Sequence, residues 1–401
     1  VCDSIRRLVS CGFLEYTFRM CATYGENEFD LAVVGSGAAG QLAAIAAAED
    51  GKRVVLLEQM SRPGLKLLAS GGGHANLTNM LKRAEFEEAF GRQGRFMEPA
   101  LNVMAPTDLR NFLARLGVET IVDDQLHVYP ASQRATDVQA ALRDRIEQLG
   151  VQINLNCLVS RLWIEDGGLM GVETSDGQIQ AQRVLLACGG KSYPALEGTG
   201  GGYALARQAG HSIVEPIPAM VPLVTQEPWP GQLAGVSLSK ARVWIALPKQ
   251  SKAGVTGDIL FTHRGLSGPV VINISGAVSQ LLHRLGRVPI RIELLAGMDA
   301  SRWDREMESW RVSSGKRLVL GLVREKLPAS LARELFRLAG LDEQVTAAQL
   351  TAVGRKTLAG LLGGLELTVT GTEGFKIAFV TRGGVKLKEV DPQTLQSRLL
   401  P

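Results

Sequence analysis

The first clear pattern along the chain is FDLAVV, Phe29 to Val34, an unbroken β-rich apolar run. Such a run predicts a strand covered on both faces, as in a parallel sheet. An alanine-rich stretch with helical spacing follows, ended by Gly51, and RVVLLE then forms a second apolar run that closes on Glu58. Strand, helix and strand in that order predict a βαβ unit. Val159 stands in the strand-like NCLVSRLWI, and the apolar run before ACGG, Ala187 to Gly190, predicts another buried strand. From about 203 to 295, short β-rich pieces such as SLSKARVWIALP alternate with Gly/Pro turns and predict a β-barrel-like insert. DREMESW, ASLARELFRLAG and VTAAQLTAVGRKTLAGLL carry helical spacing, and LELTVTG returns the chain to strands. The expected organisation is therefore an α/β nucleotide-binding domain from 28–202 and 366–401, a β-rich insert at 203–295 and a helical insert at 296–365. Residues 1–27 have no clear period and are read as an extension of unclear status.

Three glycines sit where the first strand gives way to the first helix, in GSGAAG. Gly35 allows a tight turn, Gly37 lets backbone approach a diphosphate, and Gly40 lets the helix pack close on the strand. Ser36, Ala38 and Ala39 complete the loop, and the helix start offers free N–H groups and the positive end of its dipole. Glu58 stands 18 residues past Gly40, near the spacing of about 20 at which a carboxylate holds a ribose hydroxyl pair. Glu rather than Arg there favours a ribose without a 2′-phosphate. The competing reading is a packing turn with a surface glutamate at a strand end.

Composition narrows the class. A 45% apolar and 21% charged chain with no run of 18 apolar residues reads as soluble, with no membrane partner. A net charge of +4 without a clustered basic stretch argues against a nucleic-acid partner and for a small-molecule substrate. The five cysteines include no CxxC pair, and no His/Cys spacing resembles a metal site. A reducing, cytoplasmic setting and no metal are expected.

A second glycine cluster, RPGLKLLASGGGHANLTN from Arg62 to Asn79, begins where a simple dehydrogenase would continue into a helix. Taken alone it reads equally as a flexible loop. Together with HVYPASQRATDVQAAL, LLACGGKSYPALEGTGGGYALA, ILFTHRGLSGPVVINIS and FVTRGGVKLKEVDPQTLQSRLLP, it resembles a bacterial family of NAD(P)/FAD-dependent oxidoreductases, similar to the 3-dehydro-bile acid Δ4,6-reductases and aminoacetone oxidases. The resemblance spans roughly 28 to 401. It implies a Rossmann-like FAD-binding domain in which Gly35 to Gly40, Glu58, Lys66, Ser70, Gly71, Gly72, Gly73, Asn76 and Thr78 hold the cofactor. Val159, Ala187, Gly189 and Gly190 would pass the nucleotide, and Gly383 and Gly384 the flavin. Val159 reads equally as a core valine.

The implied activity is FAD-dependent hydride transfer on a small organic or steroid-like substrate. No second glycine fingerprint is visible in the sequence, so an NAD(P)H donor would meet the flavin transiently. Two departures stand out: His74-Ala75 replaces the family's Arg-Cys, and Cys188 a frequent Thr. The first implies a weaker or pH-dependent charge beside the flavin, since histidine titrates near neutrality. Catalytic candidates are His263, which with Ser267 reads more simply as a turn before a helix at Pro269, then Tyr193 as a proton donor, and His74. His127 and Tyr129 are weaker. The sequence given stops at Pro401, where the family continues into a strand and helix that seat the flavin. Weak FAD binding is expected unless that element is supplied, and the alternative is a nucleotide-binding module without catalysis.

Overall fold

A computed structural model describes residues 28–400 apart from Glu197, so the 1–27 extension lies outside the described residues. The chain divides into two compact units.

The first unit takes the described residues up to Gly190, Pro194–Pro216 and those from Gly383 onward. Its sheet has β1 (Glu28–Val34) at the centre, between β2 (Val54–Leu57) and a long strand, Gly177–Leu186, both parallel to it. A central parallel strand meets protein on both faces, which is why FDLAVV is apolar throughout rather than alternating. The outer strands are β3 (Gln152–Asn154), β4 (Val159–Glu165) and β5 (Gly168–Thr174), and the long strand is β6, giving the order β3-β2-β1-β6-β5-β4. The antiparallel β4-β5-β6 meander finishes one edge.

Between β1 and β2 runs helix α1 (Ala38–Glu49), which packs on α2 (Ala135–Gln148). Its alanines, Ala44, Ala46 and Ala47, are buried, and such short side chains let the helix axis lie close to the sheet. The approach is closest at Gly40, where a Cβ would stand 1.9 Å from the carbonyl oxygen of Gly35.

The second unit takes Lys191–Tyr193 and Ile217–Arg382. Six antiparallel strands close a barrel: β7 (Leu223–Thr225), β8 (Ser237–Ile245), β9 (Val255–Thr262), β10 (Gly265–Ser267), β11 (Val288–Glu293) and β12 (Leu365–Thr372), in the order β7-β10-β9-β8-β11-β12. Helix α3 (Pro269–Leu285) turns Val270, Val271 and Val278 into the barrel core. Helices α4 (Ala300–Ser313), α5 (Val319–Arg324), α6 (Ala329–Ala339) and α7 (Ala352–Gly364) fill the chain between β11 and β12.

The boundaries expected from the sequence are drawn elsewhere. The region expected as a separate helical insert at 296–365 shares one core with the barrel: Trp303, Met307, Phe336 and Leu358 pack in the same cluster as Val243, Ile259 and Ile290. The stretch assigned to the nucleotide domain from 366 onward supplies β12 first, because Val369 pairs with both Val288 and Thr225 and closes the barrel. Residues 203–216, assigned to the insert, belong with the first unit, where Leu205 is buried beside Phe29 and Val34. Among the described residues no helix is long and apolar enough to cross a membrane.

Candidate functional site

The three glycines of the first turn differ in what holds them. Gly35 has φ +101 and a Cβ there would lie 2.7 Å from the Ala187 carbonyl oxygen, so both conformation and the neighbouring strand end require glycine. Gly40 is required by the Gly35 carbonyl. Gly37, the N-cap of α1, has φ −65 and ψ −180, which any residue adopts, and a Cβ there would meet nothing within 4 Å. Nothing inside the protein asks for glycine at 37. No side chain caps α1, and no acidic residue stands in its first turn, so its leading N–H groups and dipole face outward unclaimed.

They face a cavity of about 710 Å³, within the range of about 300–1,000 Å³ usual for bound organic molecules. It lies in the first unit, and Gly35, Gly37, Ala38, Ala39, Glu58, Lys66, Ser70, Asn76, Val159, Ala187, Gly189 and Gly190 line it. Glu58 is only 1% exposed. Its Oε2 accepts from the Ser36 amide at 2.9 Å and the Ser36 hydroxyl at 2.6 Å, and its Oε1 from the Met60 amide at 2.8 Å. Three donors compensate the buried charge and fix its orientation; Oε2 already has two of them, while Oε1 keeps room for a further donor.

Other residues singled out by the sequence do not line this cavity. Ser36 and Gly40 lie behind the lining. Gly71, Gly72 and Gly73 form a tight turn with φ of 57, 67 and 94, carrying Ser70 and Asn76 on either side. Thr78 pairs with Val128 in a small antiparallel sheet. Gly383 and Gly384 have φ of +99 and +117, Gly383 against the carbonyls of Val214 and Glu215 and Gly384 against the Tyr203 ring. None of the catalytic candidates lines the cavity. His74 is exposed, its Nδ1 2.9 Å from the Gln133 carbonyl oxygen. Tyr193 and His263 both belong to the second unit. Tyr193, with φ 51, tilts against Phe379 at 6.2 Å between ring centroids. His263 is exposed in the turn between β9 and β10, and α3 begins at Pro269 just after Ser267.

Sequence reasoning misses a second helix start at the cavity. Helix Gly201–Gln208 also has no side chain at its N-cap, Gly200, and no first-turn acid, its first amide donating to the Thr199 hydroxyl at 3.4 Å; Thr199, Gly201 and Gly202 line the cavity. A Cβ on Gly202 would lie 2.8 Å from the Cys188 Cβ. The glycines of GTGGG before a helical run are the available signal. Cys188 stands out in the sequence only as a departure from the family, yet it lines the cavity and its thiol approaches the Val34 carbonyl oxygen at 3.4 Å.

Burial, with a lesser repulsion from Glu58, pushes the Cys188 thiol up to about 11 from 9.0. The folded state therefore favours the neutral thiol. That stabilisation is complete below about pH 9 and is lost as pH rises towards 11, about 3 kcal/mol in total. In urea unfolding at pH 8 and pH 10.5, the stability advantage of wild type over Cys188→Ala is expected to shrink at the higher pH. An unchanged gap would mean that the thiol is solvated.

A long bis-anionic nucleotide cofactor fits these residues: a Cβ-free approach at Gly37, two uncapped helix starts, the Lys66 ammonium, and a fixed carboxylate at Glu58. The HI0933-like protein Rossmann domain model matches residues 29–401. The 3-dehydro-bile acid delta(4,6)-reductase of Clostridium scindens is 32% identical over 375 residues, 92% of this chain and 89% of that one. A ribosomal RNA dihydrouridine synthase of Haemophilus influenzae is 28% identical over 380 residues, 93% and 89% of the two chains. Among solved structures, the 3-ketosteroid delta1-dehydrogenase of Sterolibacterium denitrificans resembles the chain with a TM-score of 0.46 at 15% identity, covering 91% and 90%.

Proposed function

The chain belongs to the HI0933-like family of FAD-dependent oxidoreductases, and from that premise we propose that it reduces a carbon–carbon double bond conjugated to a carbonyl in a small organic or steroid-like substrate. The two relatives share that bond change in their names. A Δ4,6 3-dehydro-bile acid carries double bonds in conjugation with a ketone, and dihydrouridine is a uracil ring whose carbonyl-conjugated double bond has been saturated. In both cases a hydride adds to one carbon, a proton to its neighbour, and one C=C becomes C–C.

The observation that carries the flavin part of this reading is Gly37: unstrained, unobstructed and facing the cavity at a helix start. FAD, when bound, supplies a two-electron hydride donor. The chain's own residues bind and orient it. The Gly37 amide and the first N–H groups of α1 take the diphosphate, Lys66 adds a cation, and Glu58 Oε1 accepts from a ribose hydroxyl. Glu58 also sets selectivity, since a 2′-phosphate would bring like charge against a buried carboxylate. Ser70 and Asn76 offer polar groups beside the glycine turn. NAD(P)H is the external reductant in this reading.

A second reading, reduction of a uracil base within RNA, is favoured by one observation. In the second unit Lys and Arg outnumber Asp and Glu by more than three to two, although the whole chain is nearly balanced at 44 against 40. Arg284, Arg287, Arg305, Arg311 and Lys316 are all exposed. Such a surface suits a phosphate backbone.

Purified protein supplied with FAD is expected to show the absorbance spectrum of a bound flavin and to lose its visible band anaerobically on addition of NADH or NADPH. Reoxidation should then be tested with a 3-oxo-4,6-diene steroid acid and with unmodified ribosomal RNA. The product is expected to gain two hydrogens by mass spectrometry, and RNA binding that weakens steeply with salt would select the second reading. A flavin that neither substrate reoxidises would defeat the proposed bond change.

A further inference from the structure

Beneath the phosphate-facing turn lies a buried amide pair that touches no part of the cavity. Gln41, on α1, is fully buried, and Gln139, on α2, is 9% exposed. Gln41 Nε2 donates to the Ser36 carbonyl oxygen at 2.8 Å and to Gln139 Oε1 at 3.1 Å, and Gln139 Nε2 donates back to Gln41 Oε1 at 3.0 Å. Both Nε2 hydrogens of Gln41 are thereby used. The pair also shapes the next loop: Gly64 has φ +71, and a Cβ there would stand 1.8 Å from Gln139 Oε1 and 3.2 Å from Gln41 Nε2.

All three polar groups of Ser36 are consequently committed, its amide and hydroxyl to Glu58 and its carbonyl to Gln41. In a planar trans peptide the N–H points opposite to the C=O. Holding the Ser36 carbonyl on Gln41 therefore aims the Gly37 N–H away from Gln41. Gly37 lines the cavity and Gln41 does not. An unanchored Ser36–Gly37 peptide would be free to flip, presenting a carbonyl oxygen where an anion needs a donor.

We propose that Gln41 and Gln139 are positioning residues for the cofactor: by anchoring the Ser36 carbonyl from behind, they fix the Gly37 amide as a diphosphate donor and hold Ser36 against Glu58. The proposal rests on the flavin reading above. Because the role concerns the diphosphate, it applies equally to any ligand with an ADP portion.

The test uses the full chain as apoprotein, titrated with FAD by flavin fluorescence and with ADP by calorimetry. Gln139→Leu alone strands the Gln41 amide among apolar neighbours and is expected to lower stability, so the paired substitution Gln41→Leu/Gln139→Leu, similar in volume and releasing only the Ser36 carbonyl, the group under test, carries the test. The paired variant is expected to bind both FAD and ADP about tenfold more weakly, the weight of one hydrogen bond to a charged partner. Its unfolding temperature is expected to stay within a few degrees of wild type. A purely structural role would move the unfolding temperature and leave both affinities unchanged, which overturns the proposal, as would weakened FAD binding with ADP binding intact. Wild-type protein that binds neither FAD nor ADP would instead overturn the flavin reading itself.

Discussion

Gly37→Val is expected to weaken FAD binding by about a thousandfold or more and to leave the apoprotein's unfolding temperature almost unchanged. The two halves of this outcome have separate causes. At φ −65 and ψ −180 the backbone suits a β-branched residue, and open space surrounds the site of its Cβ, so folding loses nothing. That same open space lies at the uncapped start of α1. Methyl groups there would hold a diphosphate away from the leading amides, and losing several charge-assisted hydrogen bonds of about 1.5–3 kcal/mol each amounts to that factor. Fluorescence titration with FAD and a thermal melt of the apoprotein measure both. Undiminished FAD affinity would show that the diphosphate binds elsewhere.

Gly40→Ala is expected to do the opposite, destabilising the apoprotein by about 3–5 kcal/mol, the range of strongly destabilising single changes. Judged by propensity alone, alanine inside a helix should gain up to about 1 kcal/mol over glycine. The new methyl, however, would stand 1.9 Å from the Gly35 carbonyl oxygen and 3.3 Å from the Ala187 Cβ. The first of these is backbone fixed by the turn itself and by the hydrogen bond that the Gly35 N–H donates to the Leu57 carbonyl oxygen, so it has nowhere to move. Relief requires α1 to lift from the sheet, which would open the packing of Ala44, Ile45 and Ala47. Urea unfolding of the two proteins decides the sign, and equal or greater stability in the variant would mean that α1 sits farther from β1.

Much of this site is legible in the order of amino acids alone. GSGAAG followed by Glu58 carries its meaning locally, because turn conformation, helix start and strand end lie within one βαβ unit. The assignment of distinct reasons to Gly35, Gly37 and Gly40 needs no partner more distant than Ala187. Lys66, Ser70 and Asn76 come from a resemblance rather than from periodicity, and they line the cavity with the first turn. Less legible are Thr199, Gly201 and Gly202, whose glycines read as a loop until the helix start is seen beside Cys188. His263 and Tyr193 illustrate the limit from the other side. A reactive residue type in a conspicuous motif says nothing about neighbours, and these two lie in a different unit from the cavity.

The domain boundaries divide along the same line. Apolar alternation locates LELTVTG as a strand but not its sheet, and its pairing with Val288 and Thr225 draws it into the barrel. The helices between β11 and β12 read as a separate body because their own faces are amphipathic; only packing reveals that Trp303 and Phe336 share the barrel's core.

By itself the sequence determined the βαβ unit, the glycine turn, the acidic strand end and the family, because these rest on steric preferences of adjacent residues and on short fixed spacings. Tertiary structure decided which distant segments close the cavity, that β12 completes a barrel begun at Leu223, and that Gln41 meets Gln139 across 98 positions. The physical reason is that hydrophobic periodicity specifies which face is buried but not what it is buried against. A buried amide pair is invisible to it altogether, since a glutamine on a helix reads as solvent-facing until a second glutamine satisfies it.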